Sequence, residues 1–194
     1  MTAGFQEEFS TIDLVLASGA ETAGVDGFAL SLIKSERQVR KLFTYLVYQS
    51  SAFSPKDVRQ LRETLAACTS VYFEGIVKGL NALSPVSVKQ LVGPEYPRLW
   101  PRFKEFAQHR NKIFHGQITA KGLSRAQLLK NVSDIHVWCD SLGAGAEREL
   151  GYDGFGRNSF RKSSVTNLEN LPSVRLESIS QYAHFIRTLM SRNK

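Results

Sequence analysis

Apolar side chains recur at steps of three and four along most of this chain, a spacing that keeps them on one helical face. Residues 29–49 carry Ala29, Leu32, Val39, Phe43 and Leu46 in this way. Ser54-Pro55-Lys56-Asp57 reads as a helix start. Ser54 suits the cap and Pro55 the first helical position. The stripe that follows is Val58, Leu61, Leu65, Cys68, Tyr72, Ile76, Leu80 and Leu83. Its regularity predicts one long helix of about 28 residues. A short helix is expected after Ser84-Pro85, ending near Gly93. Pro94, Pro97 and Pro101 then punctuate a turn and the opening of another helix, with the stripe Leu99, Phe103, Phe106, Arg110 and Ile113. Gly116 is its stop, since glycine takes the left-handed conformation at a helix end without steric cost. Ser124-Arg125-Ala126-Gln127 has capping-box spacing and opens a helix with Leu128, Val132, Ile135, Cys139 and Leu142 inward. Gly143 and Gly145 weaken the end of that helix.

Residues 151–174 break this rhythm. Gly151 to Lys162 is glycine-rich, basic and aromatic, and reads as a loop with at most a short hairpin. A final helix over about 176–191 presents Leu176, Ile179, Ala183, Ile186 and Leu189/Met190. Residues 1–28 are ambiguous, with Ile12–Ala17 compatible with helix or strand. No internal repeat or low-complexity tract is visible. Four to five main helices with short links predict an all-α helical bundle with a loop-rich C-terminal segment. The whole chain, 1–194, reads as one domain, its bundle core spanning about 25–145 and its extension with the final helix 146–194.

Composition narrows the setting. Of 194 residues, 42% are hydrophobic, enough for a packed core. No apolar run reaches the roughly 18 residues that a membrane span needs. Met1–Ser10 carries two Glu and no cationic stretch, unlike a secretory signal. Cys68 and Cys139 fall on apolar helical stripes, which fits reduced core cysteines and a cytoplasmic protein. HxxxH, HExxH and CxxC spacings are absent, so no metal site and no cofactor are expected. The 25 Lys+Arg against 18 Asp+Glu leave a net charge of +7, which favours a polyanionic partner such as RNA.

One residue contradicts the pattern. Arg110 occupies an apolar-stripe position, and a guanidinium aimed at a core costs several kcal/mol unless it is paired or faces a wet cleft. It is either a core-edge arginine that snorkels or pairs with a carboxylate, or an arginine lining a functional groove. Asn111 follows directly, and His115 shares a face with Asn111 at i and i+4. Because the helix is expected to stop at Gly116, His115 lies in its last turn or just beyond, where the helix dipole favours the charged imidazole. An arginine, an amide and a histidine at one helix end can hold a phosphate and move a proton.

Arg110-Asn111-Lys112-Ile113-Phe114-His115 resembles the R-x4–6-H signature of the HEPN superfamily, the higher eukaryotes and prokaryotes nucleotide-binding domains. In that family the residue after the arginine is typically polar and often Asn, and the signature lies near the end of one helix of an all-α bundle. The resemblance covers roughly residues 25–145 and not the tail after 150. It implies a metal-independent endoribonuclease, in a toxin or anti-phage defence role, with two protomers facing one cleft. His115 would be the general base for attack of a ribose 2′-OH on the adjacent phosphate, and Arg110 would stabilise the charge developing there. Asn111 would position the phosphate or the histidine. The partner's His115 would protonate the leaving oxygen, so a homodimer supplies both acid and base. Some family members carry a tyrosine two residues after the histidine as a site of antitoxin modification; here that residue is Gln117. Other members are non-catalytic nucleotide- or RNA-binding or protein-interaction modules, the alternative reading for this chain.

Further residues support the picture. Glu36 falls on the stripe 32, 36, 39, 43 and is expected to pair with Arg110 or Arg40 or to help orient His115. Glu74 flanks the long helix, where related proteins often carry an acid. His109 is expected at the surface, and His136 and His184 lack partners at ligand spacing. Lys112 adjoins the motif. Arg157, Arg161 and Lys162, interleaved with Tyr152, Phe155 and Phe160, either contact RNA by charge and stacking or sit in a loop docked on the bundle by its aromatics. An antitoxin or defence-system partner is a further expectation of the resemblance.

Overall fold

The computed structural model describes residues 2–114, 123–156, 158–163 and 174–191; for Ala107, Gln108 and residues 110–114 it describes the backbone alone. The protein is all-α. Its helices are α1 (Ala3–Ala17), α2 (Ala23–Gln49), α3 (Val58–Ala66), α4 (Phe73–Leu83), α5 (Val88–Val92), α6 (Tyr96–Phe114), α7 (Arg125–Leu150) and α8 (Ile179–Phe185). A 3-10 turn at Pro55–Asp57 precedes α3, and a π-helical turn at Ile186–Met190 continues α8.

The central pair is α2 and α7. Leu32, Val39, Leu42 and Phe43 on α2 and Val132, Ile135, Cys139 and Leu142 on α7 are buried, as their periodicity predicts. Three starts follow the local signals. Ser54 and Asp57 form a reciprocal capping box, as do Ser87 with Gln90 and Ser124 with Gln127. The ambiguous N-terminal stretch resolves into α1 and the first turns of α2. Phe5, Phe9 and Ile12 on α1 close one side of the core. Thr2 caps α1 by accepting from the Phe5 N–H, and its hydroxyl donates to Asp153 at 3.0 Å.

Two expectations are corrected. The predicted long helix is two, α3 and α4, separated by residues 67–72. Cys68 therefore lies in this connection, half-buried, and not within a helix. The break lets Val71 pair in a single antiparallel β-bridge with Ser191. It also lets α4 press its glycine face on the chain's last turn: a Cβ on Gly75 would lie 2.0 Å from the Met190 carbonyl oxygen. Conversely α7 does not weaken at Gly143 and Gly145 but continues to Leu150. Gly145 packs so closely on α5 that a Cβ there would meet the Leu91 carbonyl oxygen at 2.2 Å. Tertiary contact compensates for the roughly 1 kcal/mol by which glycine disfavours a helix. The final helix is also shorter than expected. It starts at Ile179, and Leu176 is buried ahead of it.

Residues 151–156 and 158–163 run as a strap along α2, with no hairpin among these described residues. Successive turns of α2 from Gln38 onward hold it. Gln38, fully buried, donates to the carbonyls of Cys139 at 2.9 Å and Asp153 at 3.0 Å. Lys41 donates to Phe155 O at 2.8 Å, and Thr44 donates to the Ser159 hydroxyl at 3.0 Å. Tyr45 donates to Leu150 O at 2.9 Å, and Lys162 donates to Tyr48 O at 2.6 Å. Gly154 adopts φ +84° where the strap touches Gln38, a backbone state that glycine reaches without strain. Of the two readings of this segment, the docked loop matches its aromatics. Tyr152 and Phe155 are buried, and Phe160 is half-buried against Tyr48.

Candidate functional site

α6 carries the arginine motif on its final turn. Leu99, Phe103 and Phe106 form its buried stripe, and position 110 is the next step of that register. The helix runs antiparallel to α7, because its polar contacts step in opposite directions along the two helices. Arg98 meets Asp134 at 2.5 Å, and Arg102 meets Asn131 at 2.7 Å. The last turn of α6, residues 110–114, therefore points to the end of the bundle where α7 begins. α2 starts there too, since Gly24 lies against Arg125 and Leu128. Arg110, Asn111 and Lys112 are placed by backbone on this turn. His115, like Gly116 and Gln117, lies outside the described residues.

A cluster that the patterning did not reveal locks α6 in place. The Asp134 side chain is only 7% exposed; it accepts a hydrogen bond from Arg98 at 2.5 Å and forms an ion pair with Arg102 at 2.9 Å. Arg98 also pairs with Glu95 at 2.7 Å. The carboxylates of Asp134 and Glu95 push the Arg98 pKa further up, so its charge is permanent. The two arginines stand four apart on one helix and their acid lies on another. Only the packing of α6 on α7 brings the three together.

An open cleft of about 210 Å³ lies between α2 and the start of α4. Its polar lining is Glu36, Arg40, Thr69 and Tyr72. Val39, Val71, Phe73 and Ile76 form its apolar wall. Arg40 donates to Val71 O at 3.2 Å, which ties the α3–α4 connection to α2. Glu36 is half-buried and shares the cleft with Arg40, one of the two partners expected for it. Phe73 joins the cleft to the motif helix, stacking on Phe103 with ring centroids 4.9 Å apart and planes within 9°. Phe103 stands seven residues before Arg110 on the same stripe, about 10 Å along the axis. On the adjoining rim Lys104 of α6 lies 3.9 Å from Glu74 of α4. The cleft thus has Glu36 in its lining and Glu74 on the helix beside it.

Tyr72 was not foreseen as a site residue. Periodicity puts it on a buried stripe of one continuous helix, whereas the break at 67–72 leaves it 44% exposed at the mouth of the cleft. Arg40 was legible only as a pairing option for Glu36.

The strap cations are engaged within the fold. Arg161 lies over the Tyr152 ring at 5.3 Å and donates to Gly151 O at 3.2 Å. The Lys162 ammonium donates to Tyr48 O and Ser50 O and sits 4.7 Å from the Tyr48 ring centroid, and burial lowers its pKa. Arg157 lies outside the described residues. His136 is half-buried, edge-on against Phe9 at 4.6 Å and Phe5 at 5.9 Å. Among the described residues no group of three or more His, Cys, Asp or Glu side chains is placed to hold a metal ion. Among them, too, no helix is long and apolar enough to cross a membrane.

Comparison of the chain with protein-family models, with curated proteins and with solved structures gives no match in any of the three.

Proposed function

We propose that this protein is a metal-independent endoribonuclease of the HEPN type, acting as a homodimer with a composite site. The observation that carries the reading is Arg110. It is an arginine at the next register position of the buried stripe Leu99, Phe103 and Phe106, on the terminal turn of α6. A guanidinium at such a position needs an anionic partner. The adjacent Asn111 and the nearby His115 make a phosphodiester a fitting one.

In this mechanism His115 removes the proton from a ribose 2′-OH as that oxygen attacks the neighbouring phosphorus. Arg110 holds the non-bridging oxygens while the pentacoordinate phosphorane carries its extra charge. Asn111 orients the phosphate. The partner protomer's copy of the histidine protonates the departing 5′-oxygen, and the products are a 2′,3′-cyclic phosphate and a 5′-hydroxyl end. With Arg161 and Lys162 tied into the strap, the main phosphate contacts fall to Arg110 and Lys112. A toxin or anti-phage role, with an antitoxin or defence partner to restrain the activity, belongs to the same reading.

The test is cleavage of single-stranded RNA with EDTA present, by the wild type, Arg110→Ala and His115→Ala. Loss of at least about a hundredfold in both variants is expected if they supply charge stabilisation and general base catalysis. Equal activity in all three overturns the proposal. Salt-sensitive RNA binding without cleavage points instead to the non-catalytic binding module.

A further inference from the structure

We propose that the strap and the face of α2 beneath it form a cationic stripe that holds the backbone of single-stranded RNA; that this RNA is also the substrate rests on the ribonuclease reading above.

The cations of the strap are held by neutral groups. The Lys41 ammonium donates to Phe155 O at 2.8 Å and Gly156 O at 3.1 Å. Lys162 donates to Tyr48 O at 2.6 Å and Ser50 O at 2.7 Å. Arg161 donates to Gly151 O and lies over the Tyr152 ring, and Arg62 of α3 lies over the Phe160 ring at 4.9 Å. Carbonyl oxygens and ring faces fix these charges in place without cancelling them. Among the described residues none of the four forms an ion pair, whereas Arg59, Arg98, Arg102 and Arg148 each have a carboxylate partner.

Lys34 and Arg37 extend the row along α2 and share one acid, Glu8. The other acids within electrostatic reach are the buried Asp153 and, at the end of α7, Glu147. Positive charge is therefore in excess, and it is felt inside the row. After burial, the Arg37 charge is what lowers the Lys41 pKa most. Arg37 and Arg161 both act on the Tyr152 phenol, whose pKa burial raises.

The row follows α2 from Lys34 to Tyr48, about 20 Å at 1.5 Å per residue. Charge spread along a line matches a nucleic-acid backbone. A lipid surface fits less well, because Tyr152 and Phe155 are buried in the bundle and Phe160 is half-buried under Arg62, which leaves the strap no apolar edge to insert. Attraction of this kind needs no vacant donor, since it comes from releasing the counterions of the phosphates. Cations already fixed by the fold also lose little side-chain freedom on binding. The motif turn lies beside the start of α2 and the stripe follows its later turns, so the stripe holds RNA flanking the cut phosphate.

The experiment is fluorescence anisotropy of the full chain with a labelled 2′-O-methyl oligouridine of about 20 nucleotides, over about 50–250 mM KCl. The blocked 2′ oxygen prevents cleavage during the titration. On a single strand, log K falls against log salt with a slope of about −0.7 per phosphate engaged. Arg37→Gln/Arg161→Gln should reduce that slope by about 1.4 and weaken binding about tenfold at about 100 mM salt. Arg37→Lys/Arg161→Lys keeps the charges and should keep the wild-type slope. Lys78→Gln/Lys89→Gln removes the same charge from exposed positions on α4 and α5 and should move the slope by less than about 0.5. Thermal unfolding checks that each variant is folded. Equal slope losses in the two glutamine doubles overturn the proposal. So does a wild type that leaves the oligouridine unbound at about 50 mM salt, whether or not it binds phosphatidylserine vesicles. Stripe-dependent binding in a chain that cuts no unmodified RNA would sink the ribonuclease reading alone. Cleavage by a chain whose salt slope ignores Arg37→Gln/Arg161→Gln would sink the stripe alone.

Discussion

Replacing Gly145 by alanine sets local propensity against packing, and the two predict opposite signs. Mid-helix alanine is favoured over glycine by about 1 kcal/mol, so sequence reasoning alone predicts a more stable protein. In the fold a Cβ at this position would lie 2.2 Å from the Leu91 carbonyl oxygen, 2.8 Å from its carbon and 2.9 Å from its Cα. These are backbone atoms of α5, so relief requires that helix to shift by about 1 Å, and no side-chain rotamer absorbs the strain. Overpacking of this kind costs about 1–3 kcal/mol or more, and the rigid neighbour places it at the upper end. Set against the propensity gain, Gly145→Ala should lose about 1–2 kcal/mol and lower Tm by about 3–8 °C for a chain of this size. Gly24→Ala is the internal control. Its Cβ would meet the side chains of Arg125 and Leu128 at 3.5 and 3.6 Å, ordinary van der Waals contact. It should gain about 0.4–1 kcal/mol. Urea titrations followed by far-UV circular dichroism should show the two midpoints moving in opposite directions at constant m. A Gly145→Ala protein as stable as the wild type, or more so, would refute the claim that α5 and α7 are held at backbone contact.

Three further outcomes are expected. Gln38→Ala removes both hydrogen bonds to the carbonyls of Cys139 and Asp153 in a dry site, and should cost about 2–3 kcal/mol. Hydrogen exchange should show protection lost first in residues 151–156; uniform loss across the chain would contradict a local strap. Asp134→Ala leaves Arg98 with Glu95 and Arg102 with Asn131 as remaining polar partners, and should cost about 1.5–3 kcal/mol, the range for a lost hydrogen bond to a charged group. Asp134→Asn, which keeps the shape but loses the charge, should fall between this variant and the wild type in a thermal melt. Burial lowers the His136 pKa from its usual 6.5, with Asp13 acting weakly in the opposite sense. The unfolded chain then takes up a proton that the folded one refuses, so stability should fall as pH drops below about 6.5, down to the folded-state pKa. His136→Gln should flatten that part of the pH–stability profile, and an unchanged slope would assign it to other groups.

Much of this protein was written locally. Helix starts at Ser54 and Ser124 depend on a cap and a residue three positions on, and both form as read. The stripes of α2, α6 and α7 depend on a period of 3.6, and they point inward. The misfit of Arg110 is visible in the same way, as a charge on an apolar register. Periodicity cannot tell one long helix from two in phase, so the break at 67–72 was invisible. It is set by Val71 reaching Ser191 and Gly75 reaching Met190, residues more than a hundred positions away. That break is what opens the cleft and turns Tyr72 outward, so half of the candidate site was hidden with it. Glycine likewise counts against a helix when read locally, yet Gly145 is what lets α7 touch α5. The basic, aromatic strap looked equally suited to RNA or to the bundle. Partners on α2 dock it on the bundle, because Gln38, Lys41 and Thr44 bond its carbonyls and hydroxyl. Sequence determined the class of fold and marked Arg110 as a charge on an apolar register. Tertiary packing decided where the helices stop, what the strap does and which side chains share the cleft, because those depend on contacts between residues that periodicity never compares.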